Sequence, residues 1–323
     1  MNGVSGSPRG RALRGTLPVV GAIAVGLLTA TQSRMNGALG AAIDDGVVAA
    51  VVSFGSGFLI MAIVVAILPA GRAAAVRLVR GLRERAIPWW IMIGGAAGAL
   101  TVASQGLVVG VIGTAMFTVG VVAGQTLSGL VLDRVGYSPA GVTAVTLPRV
   151  AGVALALGAV AFSLTGGALG AVPPWMLLLP VVVGAGLAWQ QATNGRLQRG
   201  TGSALIATFV NFAGGTLVLG VIALVRIPVT ELAAFPSDPW LYLGGAVGVV
   251  YIAMSAALAP RIGVLLLSLG SVLGMLVGSF AIDLIWPPEV PPSPVRSAVT
   301  VALASTGVVI AALVGRRTRT GGG

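Results

Sequence analysis

Long apolar stretches with almost no charge constrain this chain more than any other feature. Residues 17–36, 47–69, 88–109, 112–133, 148–166, 174–194, 203–226, 239–260, 262–283 and 297–315 each read as such a stretch. A helix needs about 20 mostly apolar residues to cross a bilayer core, where nothing but the helix itself satisfies the backbone. Charged residues are 8% of the 323, against about 25% in soluble domains. The fold class predicted is an all-α integral membrane protein of about ten transmembrane helices. Junctions at Gly110–Val111 and at Arg261 leave room only for tight hairpins.

The absences narrow the chemistry. There is no His, no Cys and no Lys, so all 19 basic residues are Arg. Ordinary zinc, haem-iron and iron–sulfur sites lack their ligands, and thiol and imidazole catalysis lack their groups. A phosphate-binding Walker lysine and a Schiff base are excluded as well. No arrangement of Ser and Asp stands out, so the chain reads as a non-enzyme with no cofactor and no metal.

A net charge of +11 suggests nucleic acid at first sight, but the arginines lie in short loops between apolar segments. They read as membrane orientation. With the N-terminus in the cytoplasm, 16 arginines fall inside and three, Arg34, Arg226 and Arg296, outside. That split predicts a multi-pass protein of the bacterial cytoplasmic membrane with both termini cytoplasmic. Arg9 to Arg14 followed by Leu17–Thr29 imitates a signal peptide, but nine spans behind it favour an uncleaved first helix. Trp89, Trp90, Trp175, Trp240 and Trp286 fall at span ends, in the headgroup belt. Gly71–Ala86 is either a helix along the inner surface or a solvated loop.

The chain repeats itself. Gln32, Asn36 and Leu39 recur as Gln190, Asn194 and Leu197, and Ser53-Phe54 with Gly57 as Asn211-Phe212 with Gly215, at an offset of 158. At an offset of 150, Trp90, Gly94-Gly95 and Gly98 recur as Trp240, Gly244-Gly245 and Gly248; Gly113, Gly124 and Asp133 recur as Gly263, Gly274 and Asp283. Five spans per half is odd, so the second copy enters from the opposite face. Inverted repeats of this kind mark secondary transporters. The predicted organisation is a tail (1–16), a first five-helix repeat (17–166), an external linker (167–173), an inverted second repeat (174–315) and a tail (316–323). Both tails read as disordered.

The motifs Gln32-x-x-x-Asn36-x-x-Leu39-Gly40, Ser53-Phe54-x-x-Gly57, Pro88-Trp89-Trp90 with Gly94-Gly95-x-x-Gly98, and Gly124-Gln125-x-x-Ser128 leading to Asp133-Arg134-x-Gly136 carry a family resemblance. The chain resembles the YdcZ-like inner-membrane exporters of the drug/metabolite transporter (DMT) superfamily, in a fused two-repeat form. The resemblance covers nearly everything outside the tails. It implies transport, in the direction of export, without naming a substrate. The second half departs at two places: Met275 stands for the Gln of Gly-Gln, and Asn211 for the Ser of Ser-Phe.

Polar residues inside spans are the functional candidates, because each must be satisfied there. Gln32 and Asn36 share a helix face, as do Gln190 and Asn194. They line a substrate pathway or act as interhelical glue. Gln125 is the deepest candidate; Gln105, Trp189 and Asn211 complete the set. Asp133 and Asp283, at equivalent span ends, are coupling candidates or interfacial anchors. Arg34 is expected to snorkel to the outer interface. Pro148, Pro180 and Pro260 are expected at or near span ends. The glycines are expected to let helices approach closely.

The leading function is a secondary or facilitative transporter, an exporter, of small metabolites. The small multidrug exporters of the superfamily carry a membrane-embedded Glu in the first helix; here Gln32 and Gln190 stand instead. Neutral, zwitterionic or weakly anionic solutes therefore fit better than cations. A lipid flippase or scramblase and a non-transporting membrane scaffold stay open as alternatives. The expected partners are a small-molecule solute and the lipid bilayer, not nucleic acid. One chain holds both halves, so a monomer suffices; a homodimer is compatible.

Overall fold

Hydrocarbon leaves a spanning backbone no partner but itself, and the chain responds with helices almost throughout. The computed structural model describes residues 8–137, 142, 145–163, 172–226, 234–289 and 293–314. The helices are α1 (Pro8–Ile43), α2 (Gly46–Ile67), α3 (Pro69–Arg83), α4 (Gly95–Ile112), α5 (Thr114–Arg134), α6 (Leu147–Ser163), α7 (Pro174–Thr201), α8 (Ala204–Arg226), α9 (Gly244–Ile285) and α10 (Pro294–Val314). The 3-10 turns Trp89–Gly94 and Pro239–Leu243 lead into α4 and α9. Among the described residues there is no strand. Gly46–Ile67, Trp89–Ile112, Thr114–Arg134, Pro174–Thr201 and Ala204–Val225 are long and apolar enough to cross a membrane. The fold is all-α, with apolar spans in both halves of the chain.

Several expected boundaries move. Of the segment 1–16, expected as a disordered tail, residues 8–16 form the start of α1 and residues 1–7 lie outside the described residues. Proline suits a helix start, where its missing N–H is no loss. At its other end α1 runs past residue 36 to Ile43 and stops at Asp44, which has φ 55°. Asp45 then caps α2, its carboxylate accepting from the N–H groups of Val47 and Val48 at 2.8 and 3.0 Å. The turn expected at Gly110–Val111 falls at Gly113, whose φ of 84° favours glycine. Of the two readings of Gly71–Ala86, the helix holds: α3 buries Gly71, Ala74, Leu78 and Gly81 and turns its arginines outward. Pro180, expected near a span end, lies inside α7, beneath Gly120 of α5.

Helix α9 carries the hairpin expected at Arg261. Its 42 residues are helical from end to end, although Pro260 gives no N–H to the helical ladder. Yet Gly248 lies on Gln32 and Leu258 on Gly21, while Gly270 lies on Ala22, Gly274 on Ile23 and Gly278 on Leu27. The chain therefore descends α1 and climbs it again. In a straight helix Leu258 and Gly270 would be about 18 Å apart; here they meet adjacent residues of α1. The reversal falls between them, and α9 counts as two arms.

Glycines set the close crossings, in matched pairs. Gly26 of α1 meets the backbone of Ser271 and Met275, and Gly274 meets Ile23; in the other repeat Gly184 of α7 meets Val121, and Gly124 meets Val181. A Cβ at any of these would strike backbone. The inversion is visible in α2 and α8, which cross antiparallel: Phe54 faces Gly215, Phe212 faces Gly57, and Phe58 meets Phe209. The fifth helices of the repeats, α6 and α10, pack on each other through Gly307 and Gly152.

Candidate functional site

The Gln and Asn of each repeat point into the glycine motif of the other. Gln32 and Asn36 on α1 rest against Gly248 and Gly244 of α9; Gln190 and Asn194 on α7 rest against Gly98 and Gly94 at the start of α4. Four-residue spacing puts each pair on one face, and the glycines supply the room for two carboxamides. Gly95 lies on the backbone of Asn211 and Gly215, and Gly245 on that of Ser53 and Gly57, so all four motifs converge. Phe54 and Phe212, again equivalent residues, meet with ring centroids 5.3 Å apart. The pseudo-twofold axis passes between them.

The two polar clusters differ in how they are satisfied. In the first, Gln32 Nε2 donates to the carbonyl of Gly244 at 2.8 Å. Asn36 Nδ2 donates to Gln105 Oε1 at 2.6 Å, and Gln105 Nε2 donates to Ser33 Oγ at 2.9 Å. All four residues are buried, yet Asn36 Oδ1 has no hydrogen-bond partner. A buried orphan acceptor is costly and is found where a ligand or water can reach it. In the second cluster Asn211 Oδ1 accepts from both Gln190 Nε2 and Asn194 Nδ2. The longer Asn211 does there what Ser53 is too short to do in the first repeat.

Other candidates sit apart from these clusters. Gln125 is half-buried on α5 and shares no hydrogen bond with either. Trp189 contributes its carbonyl, which accepts from Thr193 Oγ1 at 2.8 Å. Asp133 pairs with Arg149, not with the adjoining Arg134, at 2.6 Å. Asp283 caps α5 from across the repeat boundary, accepting from the N–H groups of Thr114 and Ala115 at 2.8 and 2.7 Å. Among the described residues no group of His, Cys, Asp and Glu could hold a metal.

Three contributors escape a sequence reading. Ser33 is one. Tyr137 is another: its hydroxyl lies 2.9 Å from Thr193 Oγ1, its ring is 6.0 Å from that of Trp90, and the Arg196 guanidinium stands 4.5 Å over it. Its place just after the Asp133-Arg134-x-Gly136 motif was the available signal. The third is the Phe54–Phe212 contact, whose members are visible as repeat matches but whose meeting is not.

A family model described as "Putative inner membrane exporter, YdcZ" matches residues 17–162 and again 175–312, one match per repeat. A solved structure, described only as a crystal structure of a protein, superposes with a TM-score of 0.51 at 17% identity, over 94% of this chain and 98% of that one. At that identity the likeness is one of fold. No curated protein matches the chain.

Proposed function

Because this chain belongs to the YdcZ inner membrane exporter family, we propose that it carries small neutral or weakly charged metabolites out of the cell by alternating access. The reciprocal seating of each Gln–Asn pair on the other repeat's glycine motif is the observation that supports this reading. Two inverted copies built around one polar centre can exchange conformations, which supplies inward-open and outward-open states from a single fold. The pathway runs past Gln32, Asn36, Gln105, Gln190, Asn194 and Asn211. With carboxamides in place of a membrane carboxylate, the site suits uncharged hydrogen-bonding groups better than cations. Any ion coupling falls to Asp133 or Asp283. The arginine distribution supports cytoplasmic termini, and a single chain supports a working monomer.

The test is solute exchange by the purified protein in sealed vesicles, using a labelled mixture of small polar metabolites. The expected result is protein-dependent exchange of at least one solute, lost in Asn36→Leu and Asn194→Leu. Scrambling of a fluorescent phospholipid without solute exchange would replace the reading with a lipid-handling one.

A further inference from the structure

Helices α1 and α7 are equivalent, yet one face of each is treated differently. On α1, Ser33, Asn36, Gly37 and Gly40 are all buried. Their spacing makes a single helical face. Helix α4 covers it: Gln105 bonds Ser33 and Asn36, Val109 packs on Gly37, and Gly106 packs on Gly40. The equivalents on α7 are Gln191, Asn194, Gly195 and Gln198. Here Gln191 and Gln198 are exposed and the other two half-buried. The first arm of α9, which corresponds to α4, carries Ser255 where α4 carries Gln105. The Ser255 hydroxyl turns back to the carbonyl of Tyr251 at 2.8 Å. The side chain that seals the outer end has no counterpart at the inner end.

We propose that this bare face of α7 is the inward-facing solute site, and that it takes a small uncharged solute bearing a carboxamide or an equivalent donor–acceptor group. This rests on the transport reading above. Gln105 is the chemical template. Its carboxamide oxygen accepts from Asn36 and its nitrogen donates to Ser33, so it fills in the first repeat the position left open in the second. A solute carboxamide meets matching partners on α7: the second N–H of the Asn194 amide, whose first goes to Asn211, as donor and the Gln191 side chain as acceptor. The face has no carboxylate to offset a cation, and the nearby Arg196 is engaged on Tyr137. In the opposite state the first arm of α9 closes on this face as α4 closes on α1.

The chain has no cysteine, so single-cysteine reporters are unambiguous. Gln198→Cys, at the position equivalent to the merely space-filling Gly40, reports the inner face; Val109→Cys reports the outer seal. Each is labelled in sealed vesicles with a membrane-impermeant thiol reagent, with propionamide or its charged isostere propionate as probe. Propionamide is expected to slow labelling of Gln198→Cys from the inside about tenfold when held near ten times its dissociation constant, with propionate without effect. Ser255→Gln, which supplies the missing carboxamide, is expected to slow the same labelling with no probe present; Ser255→Ala is expected to leave it unchanged. Gln105→Ser is expected to make Val109→Cys reactive from the outside. Equal protection by both probes, or by neither, overturns the carboxamide assignment. Unchanged labelling in both Ser255→Gln and Gln105→Ser overturns the equivalence of the two faces. Failure of the transport reading itself is read separately, as absence of any solute exchange by the unmodified protein.

Discussion

Phe54 of the first repeat and Phe212 of the second meet ring to ring, with centroids 5.3 Å apart, at the point where the two inverted halves map onto each other. Each ring also packs on the glycine motif seating the other half's carboxamides: Phe54 on Gly98, Phe212 on Gly248. A double-mutant cycle with Phe54→Leu and Phe212→Leu, read by thermal unfolding in detergent, is expected to give a coupling of about 0.5–1.5 kcal/mol. Additive losses would place the contact outside the core of the fold.

The glycines divide by what lies over them. A Cβ at Gly95 would strike the backbone of Asn211, and one at Gly245 the backbone of Ser53, whereas Gly55 and Gly220 face open space. Gly95→Ala and Gly245→Ala are expected to destabilise by about 1–3 kcal/mol through overpacking. Gly55→Ala and Gly220→Ala are expected to be neutral or to stabilise by about 0.5–1 kcal/mol, since glycine is unfavourable inside a helix. Thermal unfolding of the four variants decides the ranking.

Asp283 and Asp133 are equivalent in sequence but not in structural work. Asp283 caps α5 through two N–H groups; Asp133 forms an ion pair with Arg149, the two side chains being 19% and 26% exposed. Asp283→Ala is expected to cost about 1–2 kcal/mol, as the loss of a helix cap does. Asp133→Ala is expected to cost about 0–1 kcal/mol, the range of solvent-accessible ion pairs. The reverse order in unfolding measurements would contradict the assignment of roles.

Gln105 and Gln125 separate in the same way. Replacing Gln105 by Leu strands the Asn36 amide in a buried place, which is expected to cost about 1–3 kcal/mol. Gln125→Leu removes no hydrogen bond and is expected to leave stability within about 0.5 kcal/mol. A larger loss from Gln125→Leu would bring α5 into the polar centre.

Much of this was legible in the sequence, for physical reasons. Hydropathy gives the spans because the bilayer tolerates so few alternatives. The offsets of 158 and 150 gave the repeat, and the odd span number its inversion. What the repeat could not reveal was which motif faces which. Gln32 and Gly248 are separated by most of the chain, and only packing of the inverted copies brings them together. Gln125 ranked high on depth along a helix, but depth says nothing about which side of α5 turns to the centre. Asp133 adjoins Arg134 in sequence, while successive helical residues point apart and the partner comes from α6. The asymmetry between Gln105 and Ser255 was present in the sequence too; its meaning needed the burial of one face and the exposure of the other.

In the proposed alternating access, the end where α4 seals α1 and the end where α7 lies bare close in turn. Spin-label pairs in lipid nanodiscs follow both ends at once, one pair at Ala41 and Leu107 across the α1–α4 seal and one at Arg199 and Ala253 across the α7–α9 opening. Two distance populations are expected for each pair, and conditions that lengthen the α1–α4 pair are expected to shorten the α7–α9 pair. A single unchanging distance in both pairs, or two ends that open together, would contradict that alternation.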